Sequence, residues 1–251
     1  MTMIIDSHSH LPSPGRAGHN FSEARHQIDA WRKLGVGGAI FTTWQGVMAA
    51  SADDIEQGNR AALDIYAKFS DFVLPGVSVH PKYPELSLQW IREFHRQNLL
   101  WAGEWCPADQ LEFDAPEYEP FFALCEELGM VVQLHNSKGI IPVAKRHPQL
   151  TIVAAHVNHA FIGEEGQLPN LWLDISGLYG GLCWQALEKA KDAFGTKRLF
   201  YGTDFDGYDP EIFIYRVKTH FTPEEQQDIF HRNLLAFLRN NNIHNAFGLN
   251  Y

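Results

Sequence analysis

Met1-Thr2-Met3-Ile4-Ile5-Asp6-Ser7-His8-Ser9-His10 opens the chain, an apolar start that runs directly into two histidines one residue apart. In an extended strand alternate side chains share a face, so His8 and His10 point the same way at the strand's C-terminal end. Two imidazoles side by side gain little from packing, yet together they make half of a first-row metal site. Alone, the pair suits two surface or turn histidines equally well. The decision rests on whether later strands end in matching ligands.

Working outward, Leu11-Pro12-Ser13-Pro14-Gly15 reads as a loop at the mouth of any site there. Ile28, Trp31 and Leu34 fall at helical spacing, which predicts a helix over 22–34, stopped by Gly35, Gly37 and Gly38. Apolar runs over 39–44, 72–79, 99–104, 130–135, 151–156, 171–175 and 198–204 read as further strands. Helices are predicted between them: from an Asp53 or Asp54 cap to Phe69, then over 85–97, 116–128, 139–146 and 184–194. In the last helix, which runs to Leu238, Thr222 is placed to cap, Pro223 takes the first turn and Glu225 completes a capping box. Residues 240–251 form a polar tail, loose or docked.

Eight strands alternating with helices mean a parallel sheet. In this length they predict an α/β fold of the closed (β/α)8 TIM barrel type, one domain over 1–251 with 240–251 as a C-terminal tail. A doubly wound open sheet is the runner-up, but no Gly-rich phosphate fingerprint follows the first strand.

The 251 residues are 45% hydrophobic, enough for one large core. A formal net charge of -10 argues against non-specific binding to nucleic acid or anionic membranes. A small anionic substrate remains compatible, because a bound metal inverts the local field. Cys106, Cys125 and Cys183 are an odd set without framework spacing, which suits free thiols in a reducing compartment. No run approaches the apolar length of a membrane span, and the N-terminus lacks the regions of a secretory signal. The expectation is a cytoplasmic protein acting on a small molecule, with a homo-oligomer compatible.

Comparing strand ends decides the meaning of the histidine pair. Strand one ends in His8 and His10, strand four in Glu104, five in His135, six in His156 and eight in Asp204. Barrel active sites are built at that end, and packing gives apolar strands no reason to finish this way five times. Four imidazoles and two carboxylates are able to hold one or two divalent metals.

At these residues the chain resembles the amidohydrolase superfamily of metal-dependent barrel hydrolases. The matching motifs are Asp6-Ser7-His8-Ser9-His10, Leu134-His135, Ala155-His156 and Tyr201-Gly202-Thr203-Asp204, and the likeness runs over 3–239. The stretch from Thr222 to Leu238 looks like the final helix of the amidohydrolase-related branch. Gly103-Glu104 is similar to TatD-type deoxyribonucleases, where a strand-four glutamate bridges two metals, and Val79-His80-Pro81 is similar to their strand three. Trp105-Cys106-Pro107-Ala108 departs from the Ile-Gly-Leu-Asp run of that group, and Gly202-Thr203-Asp204-Phe205-Asp206 looks more like the amidohydrolase-related branch.

The resemblance implies that His8, His10 and Asp204 hold one metal, that His135 and His156 hold a second, and that Glu104 bridges them. Asp204 would also be the catalytic general base. The alternative for Glu104 is an acid beside a single metal. Zinc is the first choice, one or two per chain, with Mn, Fe or Ni also suited to these donors. The implied reaction is hydrolysis of a small-molecule ester, lactone, amide or phosphoester by metal-activated water. The alternatives are a single-metal decarboxylase of the amidohydrolase-related branch and a TatD-like nuclease, the latter disfavoured by the charge. A non-catalytic binding relative fits poorly with a complete ligand set.

Substrate-binding candidates at the mouth are Trp44, His80 and Lys82, followed by Trp105, Lys138, His159 and Asp206; rim charge and loop packing are the plainer reading of each. Tyr179 and Trp184, among Gly177, Gly180 and Gly181, suit either a lid or a turn. Asp6 is either an orienter of the ligands or an inward acid paired with a backbone amide.

Overall fold

Eight parallel strands close on one another in the computed structural model, which describes residues 3–157, 160–177, 184–244 and 246–248. They are β1 (Ile4–Leu11), β2 (Val36–Thr43), β3 (Val73–Pro75), β4 (Trp101–Trp105), β5 (Val131–His135), β6 (Ile152–Ala155), β7 (Leu171–Asp174) and β8 (Leu199–Phe200). The ladders run β1-β2-β3 and β4-β5-β6-β7-β8, all parallel. Two seams join them. Between β3 and β4, Val77 N–H donates to Trp101 O at 3.1 Å and Gly103 N–H to Val77 O at 2.9 Å. Between β8 and β1, Ser7 N–H donates to Tyr201 O and Asp204 N–H to His8 O, both at 2.9 Å. The circle is therefore closed, and the fold is the (β/α)8 barrel that the strand count predicts.

The helices are α1 (Ala24–Lys33), α2 (Trp44–Val47), α3 (Ala52–Phe69), α4 (Pro84–Arg96), α5 (Glu119–Glu127), α6 (Ile140–Arg146), α7 (Ile162–Glu165), α8 (Ala186–Phe194), α9 (Pro210–His220), α10 (Pro223–Gln227) and α11 (Asn233–Asn240). Thr222 and Glu225 form the expected capping box. The expected single last helix is instead interrupted by a π-helical segment, Asp228–Arg232, between α10 and α11. Ser51, not Asp53 or Asp54, caps α3, its hydroxyl accepting from Asp54 N–H; the two aspartates sit in the first turn, where they favour the helix dipole. Helix α9 went unpredicted, although Asp209 at the cap, Pro210 in the first turn and buried Phe213, Ile214 and Val217 were signals for it. Among the described residues no helix is long and apolar enough to cross a membrane.

Two glycines set how closely the strands that carry Glu104 approach. A Cβ on Gly76 would lie 1.9 Å from Gly103 O, and one on Gly103, whose φ is 100°, would lie 2.1 Å from Gln133 O. Only glycine fits both positions. In the polar tail, Phe247 is buried and packs on Gly38 of β2, so residues 246–248 are docked on the barrel.

Behind the strand ends, Glu165 of α7 is wholly buried, and its best partner is Asn136 Nδ2 at 3.4 Å. Burial pushes its carboxyl up to about 7, against a smaller lowering from Asn136. An acid with a raised folded pKa binds more protons folded than unfolded. Stability is therefore lost as pH climbs from the unfolded value, 4.5, through about 7. Glu165→Gln should raise the unfolding free energy at pH 8 by up to roughly 3 kcal/mol and leave it unchanged below pH ~4. Denaturant titrations at the two pH values check this; an equal effect at both would place the cause elsewhere.

Candidate metal centre

The six side chains picked out at strand ends converge at the C-terminal mouth of the barrel. His8 and His10 share a face of β1, their rings 5.3 Å apart, and His156 lies 4.8 Å from both His8 and His135. At the middle is the Glu104 carboxylate. Its Oε2 lies 3.3 Å from the Nε2 atoms of both His8 and His10. Its Oε1 lies 2.9 Å from His135 Nδ1 and 3.2 Å from His156 Nε2. Asp204 Oδ1 is 3.1 Å from His10 Nε2 and 3.8 Å from His8 Nε2. Donor atoms of His8, His10 and Asp204, and of His8, Glu104 and His156, fall within 4.8 Å of one another.

Backbone conformation aims two of these groups. His156 (φ 69°) and Asp204 (φ 61°) are left-handed, a conformation uncommon for non-glycine residues. Each has its N–H held: His156 by Asp174 Oδ1 at 3.2 Å, Asp204 by His8 O at 2.9 Å.

Three imidazoles are clamped from behind. His8 Nδ1 pairs with Asp174 Oδ2 at 3.1 Å, His10 Nδ1 with Thr42 Oγ1 at 2.9 Å and His156 Nδ1 with Ser176 Oγ at 2.8 Å. Each therefore presents Nε2 to the centre, the arrangement by which outer partners orient metal-ligating histidines. His8 Nε2 is buried and makes no well-formed hydrogen bond, a state that costs free energy unless a ligand completes it.

The charge balance points the same way. Among the described residues, the ion-pair partners of Glu104, Asp174 and Asp204 are all imidazoles. Burial opposes charge on His8, but Glu104 and Asp174 override it and hold the imidazole well above its usual range. Burial likewise opposes charge on Glu104, yet His8 and the hydrogen bonds from His10, His135 and His156 keep it well below the usual carboxylate value. Asp174 is held at about 2 by His8 against its own burial. The carboxylates thus draw positive charge into a buried space, and this donor set fits a divalent cation in that role.

Solvent reaches the cluster from one side. The side chains of His135 and Asp204 are 28% and 16% exposed, whereas His8, His10, Glu104 and His156 are at most 3%. Of the six, Asp204 and His135 are therefore the side chains open to solvent.

The mouth residues divide. Trp44 packs on His10 with ring centroids 4.3 Å apart and so lies against the cluster. His80 is buried; its Nδ1 accepts from Lys82 N–H, which places the ring proton on Nε2, and burial lowers its pKa. Lys82 is exposed, its Nζ over the Tyr83 ring. Asp206 belongs to the scaffold, not the substrate side. It is buried and accepts from the N–H groups of His19, Asn20 and Phe21 and from Trp44 Nε1, fastening the loop after β1 to the exit of β8. Trp105 is also buried, donating to Val77 O at the β3–β4 seam. Lys138 is exposed beside Glu112, and Trp184 is 83% exposed. His159 and Tyr179 lie outside the described residues. Asp6 is the buried acid paired with backbone amides, at the shift in β1 register between Asp6 and Ser9. It takes the backbone N–H groups of His8 and Thr203 and the Trp31 indole N–H.

Asp174 is the member that strand-end reading passed over, though it ends β7 as the other acids and histidines end theirs. Ser176 and Thr42 gave no signal, being ordinary hydroxyls in apolar runs. Asp174→Asn should weaken divalent-metal affinity roughly 10–100-fold without unfolding the barrel. Competition with a chelating dye measures this; unchanged affinity would mean that His8 needs no anchor.

A family model described as amidohydrolase matches residues 5–239. The chain belongs to the amidohydrolase family. No curated protein matches it. Among solved structures, this amidohydrolase is similar to the dihydroxybenzoic acid decarboxylase of Polaromonas sp. JS666, solved with manganese and 2-nitroresorcinol. That match has a TM-score of 0.74 and 14% identity, and covers 96% of this chain and 98% of that one. It is similar to the 5-carboxyvanillate decarboxylase of Sphingomonas paucimobilis (TM-score 0.75, 13% identity, 95% and 99% covered). A Pseudomonas putida protein provisionally assigned as a 2-pyrone-4,6-dicarboxylic acid hydrolase aligns at a TM-score of 0.71 and 18% identity, with 95% and 98% covered. At these identities the likeness establishes the barrel.

Proposed function

We propose that the chain, as one catalytic unit, is a metal-dependent hydrolase with a two-metal centre that cleaves a small-molecule ester, lactone, amide or phosphoester. One observation carries the reading: Glu104 turns Oε2 to His8 and His10 and Oε1 to His135 and His156. A carboxylate split between two imidazole pairs is placed to bridge. His8, His10 and Asp204 would hold the first cation and His135 and His156 the second, with zinc the leading choice. Divalent metals held there would supply Lewis-acid polarisation of the scissile oxygen and a more acidic water. Asp204, at the solvent-facing side, would serve as the general base and pass the proton to the leaving group. Trp44 and His80 bound the substrate space, the indole as an apolar wall and the imidazole as a donor through Nε2, and Lys82 sits at the rim to meet an anionic substituent.

Decarboxylation of an aromatic acid by a single metal is the second reading, supported by the decarboxylases among the similar structures. It needs only the first cation position and leaves Glu104 an acid beside it. A nuclease is disfavoured by the net charge of -10. The test is a parallel assay of zinc- and manganese-loaded protein on esters, lactones and phosphoesters, and on hydroxylated benzoic acids with carbon dioxide detection. Hydrolysis without carbon dioxide supports the first reading; carbon dioxide release with no hydrolysis replaces it with the second.

A further inference from the structure

Residues i and i+2 of an extended chain share a side, and Cys106 follows Glu104 by two where β4 leaves the barrel wall. Its Sγ, a Glu104 carboxylate oxygen and a His135 ring nitrogen all lie within 4.8 Å of one another. Burial and the nearby Glu104 and Asp204 carboxylates hold the thiol well above its usual pKa, so it is a neutral thiol until a cation offsets those charges. Cys106 is half-buried and unbridged, whereas Cys125 is sealed inside α5. The same centre holds the orphaned Nε2 of His8, a buried imidazole aimed into it with no well-formed partner. Beside Glu104, then, stands a thiol where an apolar side chain would have served packing alone.

We propose that Cys106 is a ligand of the second cation position, joining Glu104, His135 and His156. This rests on the two-position reading above and deepens it, because a thiolate changes which metal that position selects. Soft sulfur favours zinc, whereas carboxylate and water donors suit manganese. The centre is then asymmetric: the first position, built from His8, His10, Asp204 and Glu104, offers only nitrogen and oxygen, and the second adds sulfur. On binding, the Sγ–H bond breaks, the proton passes to solvent and the sulfur electron pair goes to the metal.

The test uses metal-stripped full-length protein titrated with cobalt(II), since cobalt bound to thiolate shows a near-ultraviolet charge-transfer band that nitrogen and oxygen donors do not give. Expected are two equivalents bound, with the band growing with the equivalent that fills the second position. The band should vanish in Cys106→Ser and persist in Cys183→Ser. Zinc should also slow alkylation of Cys106 by iodoacetamide, followed by peptide mass spectrometry in the wild type, so the proposal does not hang on a variant's folding. Two equivalents without the band, or a band that survives Cys106→Ser, would overturn the thiolate ligand and leave the bridged centre standing. A single equivalent without the band would overturn the second position itself, and the thiolate ligand with it.

Discussion

Asp204→Asn is expected to lower the hydrolytic rate about a thousandfold at saturating metal, with Tm little changed. Asparagine keeps an oxygen at the position that lies 3.1 Å from His10 Nε2, so the first cation retains a ligand. What disappears is the acceptor for the water's proton. The left-handed backbone at position 204, with its N–H bound to His8 O, is equally open to asparagine, the non-glycine residue best suited to it. The loss should therefore fall on kcat more than on KM, because an interaction used only in the transition state is removed. A variant within tenfold of wild type would show that the proton leaves by another route.

Glu104→Gln is expected to weaken the second cation by at least about a hundredfold and to cut hydrolysis by about the same factor or more. The carboxylate serves four imidazoles at once, at 2.9–3.3 Å, and the amide offers one oxygen and no charge in its place. It also removes the anion that holds His8, His10 and His135 above their usual pKa. Equilibrium dialysis of the variant against zinc reads the affinity directly. If decarboxylation by a single metal is the true activity, the variant keeps its one cation and most of its rate, which separates the two readings.

Much of this was legible in the sequence because a barrel writes its site at regular intervals. Each of His8, His10, Glu104, His135, His156 and Asp204 ends an apolar run, and a parallel barrel brings all those ends to one face. Asp174 was legible on the same rule and was missed because Ile175 was read as the end of its strand. Other features depend on contacts far apart in the chain. Nothing local tells that Asp206 fastens residues 19–21 and Trp44, or that Trp105 donates to Val77 O across a seam. The pairing of Asp6 with Trp31 and Thr203, at the shift in β1 register, is likewise not told by the alternation of the strand's own residues. Residues 72–79 read as one strand although only Val73–Pro75 is regular, because Gly76 still pairs with β2 through Phe41 O while Val77 pairs across the seam to β4.

In the proposed centre one carboxylate, that of Glu104, joins two cation positions. The most direct test of this is metal content per chain by elemental analysis, on wild-type protein purified without chelators and reconstituted with zinc. Close to two metals per chain are expected. One metal or fewer, after reconstitution of folded protein, would contradict it.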